Sequence, residues 1–168
     1  MPVTKSDETK VFLLKTKADF CRYIAESKEG KEKERAIFEA TGAYEKAENL
    51  AKKYLEPTNP ILLGLLLNFA IFYYEIKEDQ EIAKKMLQDA FDGYMAYPEK
   101  TSEEHYRDSV VVCQLIRDNL NFWSQTPQEQ QNWKIVPKIC TILSYRNFYF
   151  LPFQLLDKGT TLIFIEIF

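Results

Sequence analysis

The sequence has few residues of the kinds that hold a metal ion. Its 168 residues include one histidine, His105, and three cysteines, Cys21, Cys113 and Cys140. The cysteines are odd in number and widely spaced, with no CxxC pair, so they predict neither a disulfide framework nor a zinc site. Such usage is typical of a reducing compartment, and we expect a cytoplasmic protein without metal or cofactor.

Clusters of titratable residues are also scarce. Glu103, Glu104 and His105 form the only dense one, and they fall in the predicted first turn of a helix. Acidic residues at that position stabilise the helix dipole, which explains the cluster without any chemistry. We therefore expect no catalytic residue and no enzyme.

Long apolar runs and an excess of positive charge are missing too. No apolar stretch approaches the roughly 20 residues of a transmembrane helix, and we find no signal peptide. The formal net charge is −3 and the isoelectric point is near 5.4, whereas a nucleic-acid binder needs a basic face. We expect neither a membrane nor a nucleic acid among the partners.

What the sequence does have is ample material for one core. Hydrophobic residues make up 46% of the chain and charged residues 28%, with twelve phenylalanines and ten tyrosines. This balance is typical of a folded globular protein rather than a disordered one, and the length suffices for a sizeable core.

Hydrophobic periodicity predicts helix after helix up to about residue 124, hence an all-α fold. Asn59 with Pro60 and Asp79 are expected to cap the third and fourth helices, and Thr101 with Glu104 spells a capping box for the fifth. Short loops predict antiparallel neighbours. The five predicted helices cover 7–27, 35–55, 60–76, 80–97 and 102–123.

The composition changes at about residue 125. A polar stretch is followed by apolar, aromatic segments that Pro137 and Pro152 interrupt, and residues 160–168 read as a strand. We therefore predict two parts: a helical array over 1–124 and a divergent apolar tail of uncertain structure over 125–168.

An asparagine interrupts the apolar stripe of the fifth helix. At helical spacing, Asn119 shares a face with Val111, Leu115, Phe122 and Trp123. A buried asparagine without partners costs about 1–3 kcal/mol, so it must be satisfied locally or by another molecule. Both explanations stay open at this point.

The third helix repeats this pattern. Gly64, Asn68, Ile71 and Glu75 lie along one face with Leu67 beside them, so an asparagine again sits within an apolar stripe. Two carboxamides of this kind can each donate to and accept from the backbone of an extended peptide. Local satisfaction is again the alternative.

The first helix adds cationic groups. Lys15 and Arg22 are seven residues apart and share a face, and Tyr23 adjoins Arg22. Solvent exposure is the simpler explanation, but these groups also supply donors for a phosphate, which the planar fork of Arg22 grips at two oxygens. Together with the two asparagines and their apolar neighbours, they predict a groove for a phosphorylated peptide.

Three long segments at these residues resemble the 14-3-3 family. They are VFLLKTKADFCRYIAE, PTNPILLGLLLNFAIFYYEI and YRDSVVVCQLIRDNLNFWS, and they keep the family's order and spacing over about residues 6–124. The resemblance implies an antiparallel helical array like the C-terminal half of a 14-3-3 domain. It also implies a cytoplasmic adaptor that binds phosphorylated serine or threonine client proteins in signal transduction, without catalysis.

By motif position, the resemblance also implies roles for single residues. Arg22 and Tyr23 match residues that hold the phosphate, with Lys15 nearby, and Asn68 and Asn119 match the pair that bonds the peptide backbone. Glu75 and Trp123 match two further side chains that fix the extended ligand. Five residues match the apolar wall of the groove: Leu67, Ile71, Val111, Leu115 and Phe122.

The departures from the family predict a weakened site. The family has nine helices, and this chain begins at the fifth, without the dimer interface and two further basic residues of the phosphate pocket. Losing two such partners costs about 10²–10⁴ in affinity. We expect no family-type dimer, and we ascribe the tail and the start to a truncated or mis-spliced product or a faulty gene model.

Two alternatives to a phosphopeptide reader stay open. One is a truncated 14-3-3-like product that binds nothing, and the other is a generic helical interaction scaffold. A tetratricopeptide array is disfavoured, because no period of about 34 residues is present.

Overall fold

The computed structural model describes residues 5–97, 103 and 105–125, and these contain five α-helices and no strand. The all-α prediction is therefore confirmed for the described part. The chain divides into two units, Met1–Gln125 and Thr126–Phe168, and the predicted strand at 160–168 lies outside the described residues. The helices are α1 (Lys5–Ser27), α2 (Gly30–Tyr54), α3 (Pro60–Glu75), α4 (Gln80–Ala96) and α5 (Tyr106–Trp123).

The helix α2 begins earlier than its apolar pattern predicts, at Gly30 instead of Arg35. After Gly30, the added turn consists of lysine and glutamate, which are good helix formers even where they bury nothing. Lys28 and Glu32 also form an ion pair at 3.5 Å across one turn. Charge at the start of α2 thus extends the helix into residues 30–34, which the predicted helices did not cover.

Side-chain caps begin two of the helices, as predicted. Asn59 Oδ1 accepts from the backbone N–H of Ile61 at 2.9 Å, and Asp79 Oδ1 accepts from that of Ile82 at 3.1 Å. The fifth helix differs, because it begins at Tyr106 after His105, which makes no side-chain cap. The capping box predicted at Thr101 and Glu104 lies outside the described residues.

The helix α3 is the centre of the fold, because it is apolar nearly all round and packs on the other four helices. Aromatic rings from two helices meet there: Tyr44 of α2 stacks on Phe69 at 4.8 Å, and Phe72 lies 5.5 Å from the same Tyr44 ring. A row of alanines on α2, including Ala40 and Ala47, is fully buried and permits close packing.

The direction of the helices places the polar side chains. The helices α1 and α2 are antiparallel, since Asp19 bonds Tyr44 while Ile24, later in α1, shares a pocket with the earlier Ala36. The helices α1 and α3 run in the same direction. Asp19 bonds a residue of α3 that lies 49 positions further on, and Lys15 approaches Gly64 at the same separation.

Neither thiol in the described part is paired. Cys21 and Cys113 are free and buried, and burial raises the pKa of both thiols above the ordinary value. Within residues 5–97 and 105–125, no helix has the length and apolar character needed to cross a membrane. The same residues contain no cluster of His, Cys, Asp and Glu that could hold a metal ion.

Candidate functional site

Polar side chains from α1 and α3 meet along the line where these two helices pack. Asp19 bonds Asn68, and the Cε atom of Lys15 lies 3.9 Å from the position that a Cβ on Gly64 would occupy. We call this line the polar seam. Its residues are Lys15, Asp19, Arg22 and Glu26 of α1 with Gly64, Asn68 and Glu75 of α3.

Arg22 is almost completely buried, with 1% of its surface exposed. Its Nη1 donates to the carboxylate of Glu26, one turn further along α1. The Nε and Nη2 atoms are buried as well, and no acceptor in the described part of the chain lies at hydrogen-bonding distance and angle from them, although Tyr44 is close enough for it and the guanidinium to shift each other's pKa. Each buried donor left unpaired costs about 1–3 kcal/mol, so this guanidinium is suited to an anion with two acceptor oxygens.

Tyr23 supports the guanidinium from one side. The Cζ atom of Arg22 lies 4.5 Å from the Tyr23 ring centroid, within range of a cation–π interaction. Burial alone would lower the pKa of Arg22, but Tyr44, Glu26, Tyr23 and Asp19 outweigh it and raise that pKa above its ordinary value. Arg22 therefore keeps its positive charge.

Lys15 does not share the environment of Arg22. Its Nζ lies 2.8 Å from Asp19 Oδ2, and the pair is largely buried. The structure thus places the two predicted cations on one helix face, with a carboxylate between them. Arg22 and Tyr23 are in direct contact, whereas Lys15 has its charge balanced by Asp19.

Asn68 is buried and faces α1. Its Nδ2 donates to Oδ1 and Oδ2 of Asp19, at 3.1 Å each. The hydroxyl of Tyr44 donates to the same carboxylate at 2.6 Å. Burial and the adjacent carboxylate of Asp19 raise the pKa of Tyr44 well above its ordinary value, so the phenol stays a donor.

Glu75 lies toward the C-terminal end of the seam and keeps part of its surface in solvent. Desolvation by the surrounding protein raises the pKa of its carboxylate; the nearby Arg22 opposes this rise and Glu26 adds to it. Glu75 therefore lies close enough to Arg22 and Glu26 to interact electrostatically with both.

Asn119 of α5 is buried, and its Nδ2 donates to the carbonyl of Leu115 in its own helix at 2.8 Å. Its NH₂ group is thus satisfied locally, as the simpler explanation expected. Trp123, one turn later, stacks on Tyr74 with ring centroids 4.3 Å apart and planes 6° from parallel. This stack fixes the end of α5 against the end of α3, beside Glu75.

The predicted apolar wall is only partly open. Leu67 and Ile71 are buried, with 2% and 6% of their surface exposed, so they belong to the core of α3. Val111 is 52% exposed, and Leu115 and Phe122 are half-buried. Among the five predicted wall residues, the apolar surface that another molecule can reach therefore comes from α5.

Three residues at the site, Asp19, Glu26 and Tyr44, were not predicted from the sequence. Asp19 connects Lys15, Tyr44 and Asn68, yet it was not among the predicted site residues. A signal was present, since Asp19 stands between Lys15 and Arg22 at the helical spacing that puts all three on one face. Tyr44 had no such signal, because its role depends on where α2 packs.

A cleft of about 730 Å³ lies away from the seam, between α2, the α2–α3 connection and α4. Lys52 and Lys85 at its rim are balanced by Glu48 at 2.7 Å and by Asp89 at 3.5 Å. Neither of these two cations is left to bind an anion. We therefore place the candidate site at the polar seam and the adjoining surface of α5.

Comparison with known proteins agrees with this architecture. The family model described as 14-3-3 protein matches residues 1–124. The chain is 44% identical over 132 residues to 14-3-3-like protein G-BOX factor 14 kappa of Arabidopsis thaliana, covering 79% of this chain and 53% of the relative. It is 44% identical over 117 residues to 14-3-3 protein theta of Homo sapiens, covering 70% and 48% respectively.

A third relative, 14-3-3-like protein D of Nicotiana tabacum, is 43% identical over 132 residues, covering 79% of this chain and 53% of that protein. The chain thus spans about half the length of the curated relatives it matches. The family model covers well over half of this chain, and the match includes all three segments that carried the resemblance. The chain belongs to the 14-3-3 family.

Proposed function

We propose that the polar seam binds a peptide phosphorylated on serine or threonine, and that the chain acts as a non-enzymatic adaptor for client proteins that carry such a peptide. Family membership supports this role in general terms. One observation carries it for this chain: the buried guanidinium of Arg22, whose Nε and Nη2 reach no acceptor in the described residues.

A phosphate suits these two donors better than a carboxylate does. Two N–H groups of one guanidinium edge grip two oxygens of a phosphate at once, and the second negative charge of phosphate strengthens both bonds. Tyr23 holds the plane of the guanidinium by its cation–π contact. The phosphate must compete with Glu26 for Nη1, but Nε and Nη2 stand outside that competition.

The peptide backbone would meet the two asparagines. Asn68 and Asn119 each use Nδ2 within the protein, to Asp19 and to the carbonyl of Leu115. We propose that their carbonyl oxygens accept from backbone N–H groups of an extended peptide. Glu75 and Trp123 adjoin the end of this path, and exposed Val111 offers apolar surface for the peptide's side chains.

The proposed adaptor would work in a reducing compartment. Cys21 and Cys113 are both free and buried, which fits the cytoplasm that the spacing of the cysteines predicted.

A second candidate is a helical scaffold that binds partners without reading phosphate. It is favoured by the charge of the polar seam, where the carboxylates of Asp19, Glu26 and Glu75 outnumber the two cations. Both cations also have an internal partner, Lys15 with Asp19 and Arg22 with Glu26. Such a seam repels an anion unless the hydrogen bonds from Nε and Nη2 of Arg22 outweigh the repulsion by the carboxylates.

Titration of a fluorescent phosphoserine peptide and its unphosphorylated twin decides between the two. We expect the wild-type chain to bind the phosphopeptide at least about tenfold more tightly, which corresponds to one charge-assisted hydrogen bond. Arg22→Ala should remove this ratio. Arg22→Lys should retain only part of it, because an ammonium keeps the charge and loses the fork.

Arg35→Ala is the matched control, since Arg35 is exposed on α2 and pairs with Glu39 at 3.0 Å. This variant should keep the full ratio between the two peptides. Equal binding of both peptides by the wild-type chain would rule out phosphate recognition and favour the scaffold.

A further inference from the structure

We propose that Asp19 is the positioning residue of the polar seam: it holds the carboxamide of Asn68 so that the NH₂ group faces Asp19 and Oδ1 is offered to a bound peptide. The inference rests on the proposed function and adds a specificity to it. The peptide residue that faces Asn68 must carry a backbone N–H.

Asp19 is placed to do this. It is 4% exposed and accepts hydrogen bonds from three helices: from Lys15 of α1 at 2.8 Å, from Tyr44 of α2 at 2.6 Å, and from Asn68 of α3 at 3.1 Å to each oxygen. A carboxylate held from three sides cannot rotate away without breaking bonds to the other two partners. Its position is therefore fixed before any ligand arrives.

Chemistry then decides how the amide of Asn68 is turned. An ionised carboxylate only accepts, so the amide must present its NH₂ group to Asp19. A reversed amide would set Oδ1 against two carboxylate oxygens, exchanging two charge-assisted bonds for repulsion. Nothing in the described residues bonds the Oδ1 of Asn68, which leaves that atom as an acceptor.

The fixed amide restricts what can bind beside it. With Oδ1 held toward the ligand, this side of the amide rewards a donor on the ligand and leaves unpaired a backbone carbonyl or a proline nitrogen that faces Oδ1. An asparagine that was free to turn would tolerate both. Asp19 thus fixes which atom of the Asn68 amide faces the ligand, so that this side chain selects a backbone N–H of the peptide.

An ester scan of the phosphoserine peptide tests the proposal. Each backbone N–H is replaced in turn by an ester oxygen, and the affinity of each ester is compared with that of the parent amide. With the wild-type full chain, we expect one position other than the Asn119 contact to lose about three- to tenfold, as for one neutral hydrogen bond. That position is identified as the one whose loss disappears in Asn68→Ala.

Asp19→Asn should lower the ester penalty at that position to less than about twofold, because the side chain of the variant can present either atom and frees Asn68 to turn. The ratio of ester to amide is the readout because removing a negative charge beside Arg22 changes the affinity of both ligands equally. Tyr44→Phe is the matched control. It deletes another bond to the same carboxylate but keeps the ring and the Asn68 contact, so the penalty should persist.

The outcomes separate the possible failures. If the wild-type chain does not distinguish the phosphopeptide from its unphosphorylated twin, the proposed function fails and this inference falls with it. If phosphate is read but the ester penalty survives in Asp19→Asn, or is absent from the wild type, or vanishes equally in Tyr44→Phe, only the role of Asp19 is overturned.

A spectroscopic measurement covers the case in which Asp19→Asn does not fold. In the wild-type chain, the side-chain NH₂ protons of Asn68 should exchange slowly with water and should stay protected when the phosphoserine peptide is added. Protons that are unprotected, or that become so on binding, would show that the amide turns and would overturn the proposal.

Discussion

Two buried side chains of α5 satisfy their polar atoms in different ways. Ser109 Oγ donates to the carbonyl of Thr58 at 2.7 Å, which joins α5 to the connection between α2 and α3. Asn119 Nδ2 donates at 2.8 Å to Leu115 within its own helix. The first bond holds distant segments together, whereas the second holds one side chain and leaves its carbonyl oxygen for another donor.

Ser109→Ala should lower the free energy of unfolding by about 1–3 kcal/mol, because it leaves the buried carbonyl of Thr58 unpaired. Urea denaturation followed by circular dichroism measures the change. Ser124→Ala is the matched control, since Ser124 Oγ also donates to a carbonyl at 2.7 Å but does so at an exposed helix end. It should change stability by less than about 0.5 kcal/mol. Equal losses in the two variants would contradict this account of Ser109.

At the scale of one element, both backbone preference and side-chain packing contribute to the stability of α2. Its buried face is lined largely by alanine, and Tyr44 brings a large ring into that row. Two glycines of α2 occupy positions that require different backbone conformations. Gly42 lies within the helix, whereas Gly30 begins it with a φ of +58°, in the left-handed region.

Gly42→Ala should raise the free energy of unfolding by about 0.5–1 kcal/mol, since alanine loses less backbone entropy in a helix. Apart from its chain neighbours and the nearby backbone of its own helix, no atom lies within 4 Å of the added Cβ, so no packing contact opposes this gain. Gly30→Ala has equally open space but should cost about 1–2 kcal/mol because of its positive φ. Chemical denaturation of both variants checks the signs, and a shared sign would contradict the argument.

At the scale of the whole molecule, burial makes several thiols and phenols hold their protons to a higher pH in the folded chain than in the unfolded chain. Burial is the main cause that raises the pKa of the thiols of Cys21 and Cys113 and of the phenols of Tyr44 and Tyr94. Each group therefore stays protonated in the folded chain at a pH where the unfolded chain has released the proton. The resulting stabilisation is present at lower pH and is lost as the pH rises.

The free energy of unfolding should accordingly fall above about pH 9, where the unfolded thiols begin to ionise, and more steeply above about pH 10, where the phenols follow. Each group contributes a slope of at most about 1.4 kcal/mol per pH unit. Denaturation curves between neutral pH and that range measure it.

Tyr44→Phe should reduce the slope above about pH 10, because the phenylalanine releases no proton in either state. The slope of the wild-type chain, measured under the same conditions, is the reference. A fold whose stability rises over this range would contradict the prediction.

The sequence by itself determined the helices, most of their ends and the family. The period of apolar residues and the caps at Asn59 and Asp79 are local features, which act within one turn and do not depend on the rest of the fold. The same local spacing put Lys15 with Arg22, and Asn68 with Glu75, on shared helix faces. Local reasoning failed at the start of α2, where charged helix formers extend the helix without an apolar pattern.

Only the tertiary structure decided which of these faces meet and which of their atoms remain available. Asp19 and Asn68 are 49 residues apart, and their bond exists because α1 and α3 pack in the same direction around α2. Packing likewise put Leu67 in the core, left Val111 exposed and deprived two nitrogens of Arg22 of partners. Spacing along a chain specifies neighbours on one helix, but a binding site depends on contacts between helices, and those follow from the packing of the whole core.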